Sequence, residues 1–194
     1  RLLIVPFRTP VRDTVLDALS VGLVDLTSAR LSGASTPHPV DPDVALRAVA
    51  EFRAGGDTPE SEQLLAAAHR TGAGLILTGT LLREGGRLVL APVVVAAASG
   101  ASTPLPQVSG PIDSLPWMVD RMAASLLSTF AGEGGADAPA LASIPLPALR
   151  AYLDGREAMR NGRVADAISS LARAIELDST FALAARDYAE AVDW

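Results

Sequence analysis

The chain has 194 residues, 49% of them hydrophobic but only 4% aromatic, and it contains no cysteine. Its core must therefore be built from Leu, Val, Ile and Ala, and disulfides, thiolate metal sites and cysteine nucleophiles are excluded, although neither cytosol nor periplasm is. The formal net charge is −6, and every basic residue apart from two histidines is a scattered arginine; this is not the clustered basic face of a nucleic-acid binder, nor a polybasic membrane-surface patch.

In chain order, Leu2-Leu3-Ile4-Val5 is an apolar run stopped by Pro6 and reads as a buried strand. Arg1 already sits against this run, so the expectation is that the natural N-terminus lies upstream. Between Val11 and Arg30 the apolar residues Val15, Leu16, Leu19, Leu23 and Leu26 have helical spacing. Leu31 to Val40, with Gly33, Pro37 and Pro39, is a loop with room for a short edge strand. Asp41-Pro42 gives an N-cap and a proline at the first helical position, and Gly55-Gly56 stops that helix. Thr58-Pro59 repeats the start signal for a helix whose apolar face is Leu64, Leu65 and Ala68, with His69 at its margin, ended by Gly72.

Leu75 to Leu82 reads as a central strand, Glu84-Gly85-Gly86 as a hairpin turn and Arg87 to Ala98 as the returning strand. After Ser99-Gly100, the prolines in Ala101 to Val108 mark a weaker edge strand. The uncharged stretch from Leu88 to Ile112 is too interrupted by Pro and Gly to span a membrane as a helix. Ser114 is placed as the N-cap of a helix from Leu115 to Phe130 with Trp117, Met118, Met122, Leu126 and Phe130 as its apolar positions. The fold class is therefore α/β with a mixed sheet over residues 1–131, followed by a Gly/Ala/Pro-rich linker at 132–147.

From 148 to 194 the pattern is purely helical. Leu149, Tyr152, Leu153 and Met159 share a face, and Gly162 breaks the helix. Val164, Ala167, Ile168, Leu171, Ala174 and Ile175 form the next stripe, and Phe181, Ala184, Ala185, Tyr188 and Val192 a third.

Motifs of chemistry are sparse. His38 and His69 are not at metal-ligand spacing and read as solvent-facing or capping. Gly72-x-Gly74 follows a helix and precedes a strand, the reverse of a phosphate loop, and reads as a helix C-cap. The pairs Asp41/Asp43 and Glu60/Glu62 sit in first turns, where negative charge suits the helix dipole, and Asp13/Asp17 read as a solvated face. No Gly-x-Ser-x-Gly elbow occurs. Ser-Gly-Ala-Ser-Thr-Pro appears at both 32–37 and 99–104, which a chain this rich in those residues reaches by composition. The expectation is a protein that is not an enzyme and uses no cofactor or metal.

Gly155, Gly162, Ala167, Leu171, Ala174 and Ser179, with Ile175-Glu176-Leu177-Asp178, resemble a tetratricopeptide repeat. Ala151 and Ala158 replace its usual large aromatics, and Ser179 stands where proline is usual. The resemblance implies an all-α helical hairpin in which Gly155, Gly162, Ala167, Leu171 and Ala174 pack, plus the first helix of a second repeat. A single repeat cannot bury its own face, so it must stack on something. Exposed Tyr152, Arg156, Arg160 and Arg163 are the expected protein-docking residues; with Arg150 and Arg173 they give this segment a basic cast.

Leu3-Ile4-Val5-Pro6-Phe7, the run Gly72 to Thr80, Arg87-Leu88-Val89-Leu90 and the helix after Gly110-Pro111 resemble a TolB-N-terminal-like domain. Such domains precede tetratricopeptide repeats in some bacterial serine/threonine kinases and regulators, outside the membrane in the kinases. The resemblance implies a non-enzymatic, extracytoplasmic interaction or sensory module of a larger membrane-associated protein, or a stand-alone accessory subunit of a membrane protein complex. It implies a protein partner and a periplasmic or extracytoplasmic location, with membrane association through a part outside this sequence.

Overall fold

The computed structural model describes residues 1–11, 13–32, 37–53, 61–130 and 144–193. They form two compact units, Arg1–Ala123 and Ala124–Trp194.

The first unit is α/β with a mixed five-stranded sheet. Strand β1 (Leu2–Ile4) lies parallel to β2 (Leu75–Glu84), with Leu3 opposite Ile76. Pro6 has no N–H to give, so β1 stops before it; Arg8 then regains β2, its N–H donating to the Gly79 carbonyl at 2.8 Å. β2 pairs antiparallel with β3 (Arg87–Ala96) across Gly85-Gly86, whose φ values of 54° and 81° are those a two-residue hairpin turn requires. The expected strand over Ala101 to Val108 is two short strands, β4 (Ser102–Pro104) and β5 (Val108–Gly110), both paired with β3. Pro104 and Pro106 lack donors, and between the two strands Leu105 reaches back, its N–H donating to the Pro92 carbonyl at 2.9 Å.

Strand alternation gives the sheet two different faces. Leu77, Gly79 and Leu81 face the same way as Val94, Pro92 and Leu90, their partners, and all are buried. Gly79 has no room for a side chain, since a Cβ there would sit 2.4 Å from the Ala91 carbonyl oxygen and 2.9 Å from the Phe7 ring. The other face, with Thr78, Thr80, Val93 and Val95, is only half buried.

Helix α1 (Thr14–Leu31) is capped by Asp13, whose carboxylate accepts from the N–H groups of Val15 and Leu16 at 2.8 and 3.3 Å. Asp13 is thus a cap rather than part of a solvated face. The buried side of α1 is Leu16, Ser20, Leu23, Val24, Thr27, Ser28 and Leu31. Val15 is 47% exposed, and Leu19 and Leu26 are half buried, so the expected stripe is rotated. α1 is apolar on more than one side, and the Ser20 hydroxyl, which donates to the Phe7 carbonyl at 2.6 Å, fixes which side turns inward.

Helix α2 (Pro42–Arg53) starts as expected, with Asp41 accepting from the N–H groups of Asp43 and Val44. In helix α3 (Ser61–Thr71) the buried residues are Ala67 and Ala68, and His69 is exposed, in keeping with its solvent-facing reading. The expected signals at Gly55-Gly56 and Thr58-Pro59, and Glu60, lie outside the described residues. Gly72, at φ 64°, ends α3 with the Gly72 N–H on the His69 carbonyl and the Ala73 N–H on the Ala68 carbonyl. The Gly72-x-Gly74 pattern is therefore a helix stop. His38 is exposed, and its carbonyl accepts from Leu2 along the outer edge of β1.

A 3-10 turn (Ile112–Ser114) leads into α4 (Leu115–Phe130). Ser114 does not cap α4; its hydroxyl donates back to the Pro111 carbonyl at 2.7 Å. Trp117 and Phe130 are 52% and 37% exposed, so the buried side of α4 is carried by residues such as Met118, Val119 and Met122. The boundary between the two units falls within this helix. The second unit continues with α5 (Leu146–Arg160), α6 (Val164–Leu177) and α7 (Ala182–Val192). α5 takes up Leu146 and Pro147 from the expected linker, proline being tolerated in a first turn; residues 131–143 lie outside the described set. Among the described residues, no helix is long and apolar enough to cross a membrane.

Candidate interaction site

In the second unit, α5 and α6 form an antiparallel hairpin whose contact is made by small residues against one large one. Leu149, Tyr152, Gly155 and Ala158 are the buried positions that run along α5. Ala167, Leu171 and Ala174, four and then three residues apart, are those of α6. A Cβ on Gly155 would stand 2.7 Å from Cγ of Leu171, so Leu171 occupies the space that this glycine leaves. Gly162 does not pack as expected of it. It is exposed, with nothing within 4 Å of where a Cβ would point. Its φ of 69° makes it the stop of α5, with its N–H on the Met159 carbonyl and that of Arg163 on the Ala158 carbonyl.

The expected docking residues separate into two pairs. Tyr152 is not exposed: its ring is fully buried, 4.8 Å from the Phe181 ring between centroids. Its hydroxyl donates to Oδ2 of Asp187 at 3.1 Å. Arg156, one turn on and partly buried, donates to the same oxygen at 2.9 Å and to the Tyr152 hydroxyl at 3.0 Å. Arg186 donates to Oδ1 of Asp187 at 2.9 Å. Asp187 is 7% exposed, and this network ties α7 to α5. Tyr152 and Arg156 thus organise the unit internally. Arg160 and Arg163 are exposed around the α5–α6 turn, where Arg163 pairs with Asp166 at 3.0 Å.

The expected stripe on α7 is divided. Phe181, Ala184, Asp187 and Ala191 are buried. Ala185, Ala189 and Val192 are exposed and Tyr188 is half buried. At i, i+3, i+4 and i+7, Ala185, Tyr188, Ala189 and Val192 line one flank of the helix beside its buried face. That flank has the spacing of a helix-packing surface, and within the described residues of this unit it is exposed at Ala185, Ala189 and Val192.

The first unit holds a groove of about 800 Å³ over the half-buried face of the sheet. Thr78, Thr80, Val93 and Val95 form its floor, and Arg8 and Glu62 stand on its lining. Among the described residues, no group of His, Asp and Glu side chains comes together that could hold a metal ion.

No family model matches the chain, and no curated protein matches it. Among solved structures it is similar to the C-terminal domain of LpoB from Salmonella enterica, at 11% identity over 57% of this chain and 81% of that one, with a TM-score of 0.36. It is also similar to lipoprotein GNA1162 from Neisseria meningitidis, at 13% identity over 69% of this chain and 97% of that one, with a TM-score of 0.35. At these scores neither assigns the chain a family or an activity.

Sequence reasoning missed Asp187 and the groove. Asp187 had a signal: it falls three residues after Ala184 and four before Ala191, on the buried phase of α7, where a carboxylate needs partners. The groove had none, because Arg8, Glu62 and the strand residues are far apart in the chain.

Proposed function

We propose that this chain is a non-catalytic protein-interaction module, with a tetratricopeptide-type helical unit that docks a partner helix on the open flank of α7 and an α/β unit of TolB-N-terminal-like type. The observation that carries the reading is the row Ala185, Tyr188, Ala189 and Val192, exposed among the described residues except at half-buried Tyr188, on a helix tied to α5 through Asp187. Small residues at i and i+4 let another helix approach closely, as Gly155 does within the hairpin. An exposed apolar flank is what a repeat helix presents on the side where its next neighbour would stack. Arg160 and Arg163, exposed around the α5–α6 turn, remain basic residues open to a partner, Arg163 beside its own Asp166. The extracytoplasmic setting, as part of a larger membrane-associated protein or as an accessory subunit of a membrane complex, belongs to this proposal and rests on the sequence resemblance.

The test is native electrophoresis of the cell-envelope fraction. The wild-type chain should migrate in a discrete complex, and Ala189→Glu with Val192→Glu should release it. Ala165→Glu, on an exposed position of α6, should leave the complex intact. Migration of the wild type as a free species, or equal behaviour of the two variants, would overturn the reading.

A further inference from the structure

The sheet groove of the first unit has no part in the α7 interaction, and its chemistry is of another kind. Its volume of about 800 Å³ is that of a ligand site. Leu64 and Leu65 of α3 wall it, over the Val93 and Val95 side chains of β3. Two opposite charges line it, Arg8 and Glu62, and among the described residues neither is in an ion pair, with the other or with any third group. The hydroxyls of Thr78 and Thr80, on the same face of β2, are likewise not spent on any hydrogen bond among the described residues. Elsewhere in the unit Arg30 holds Asp120 and the Ser20 hydroxyl holds the Phe7 carbonyl, while the unpartnered Thr27 and Ser28 hydroxyls are buried and do not line this groove.

We infer that the groove binds a short zwitterionic peptide in an extended conformation, its C-terminal carboxylate on Arg8 and its N-terminal ammonium on Glu62. Charge complementarity sets the two ends, since an occupant of one sign would satisfy one of these residues and be repelled by the other. The floor sets the middle. Thr78 and Thr80 are two residues apart on a strand, so their hydroxyls recur at roughly 7 Å. The like-facing amides of an extended peptide recur at the same interval, and a hydroxyl both donates and accepts. A phospholipid headgroup carries the two charges but not that repeat. Val93 and Val95 give the peptide's small side chains an apolar bed.

The test is calorimetric titration of the full chain with alanine oligopeptides from dialanine to tetraalanine, each with free, N-acetylated or C-amidated ends. At least one free peptide should bind, and blocking either end should weaken it about tenfold or more, the effect of losing one charge-assisted hydrogen bond. Arg8→Ala should abolish the discrimination between acid and amide and keep that between free and acetylated; Glu62→Gln should do the reverse. Both residues are exposed, so the variants keep the fold. Absence of binding by every peptide, equal binding of free and blocked forms, or variants that discriminate like the wild type would overturn the assignment. So would phosphoethanolamine binding as tightly as the best peptide. None of these results bears on the α7 flank.

Discussion

Asp187 is the residue on which the helical unit turns. Its two oxygens accept from Tyr152, Arg156 and Arg186, and it is 7% exposed, so its removal takes away an acceptor that a phenol and a partly buried guanidinium share. Asp187→Ala should destabilise the chain by about 3 kcal/mol in urea unfolding, whereas Tyr152→Phe, which removes one hydroxyl and keeps the ion pair, should cost about 1 kcal/mol. Equal and small losses would mean that the network behaves as a surface pair. Two glycines set a similar contrast. Gly155→Val forces a branched side chain into Leu171 and should cost roughly 1–3 kcal/mol. Gly22, inside α1 with nothing within 4 Å of a Cβ, should gain about 0.5–1 kcal/mol as alanine.

At the scale of elements, start and stop signals were legible because they are local. Asp41-Pro42 begins α2, Gly72 ends α3, Gly85-Gly86 turns the hairpin and Gly162 ends α5. Gly72→Ala and Gly162→Ala should each cost about 1 kcal/mol by placing a Cβ at positive φ, readable as a lower midpoint in the same unfolding curves. Which face of a helix turns inward was less legible. α1 carries apolar residues on several sides, and a hydrogen bond from Ser20 to a carbonyl outside the helix decides its rotation. Tyr152 was read both as part of an apolar face and as an exposed docking residue; the first holds, because its hydroxyl meets a carboxylate thirty-five residues away that periodicity does not reveal.

Over the whole molecule, composition and element order gave the α/β class and the helical segment after it, since both depend on periodicity along the chain. Surfaces did not follow, because they are assembled from distant residues. The α7 flank emerged only once the burial of Asp187 fixed that helix's rotation, and the groove only once Arg8, α3 and the sheet were brought together. The flank of α7 is proposed as the docking surface for a partner helix. Site-specific photo-crosslinking in the native cell tests it most directly, with a benzophenone side chain at Ala189 on the flank and, in a second chain, at Ala165 on exposed α6. One discrete protein adduct is expected from position 189 and none from 165. No adduct at 189, or the same adduct from both positions, would contradict it.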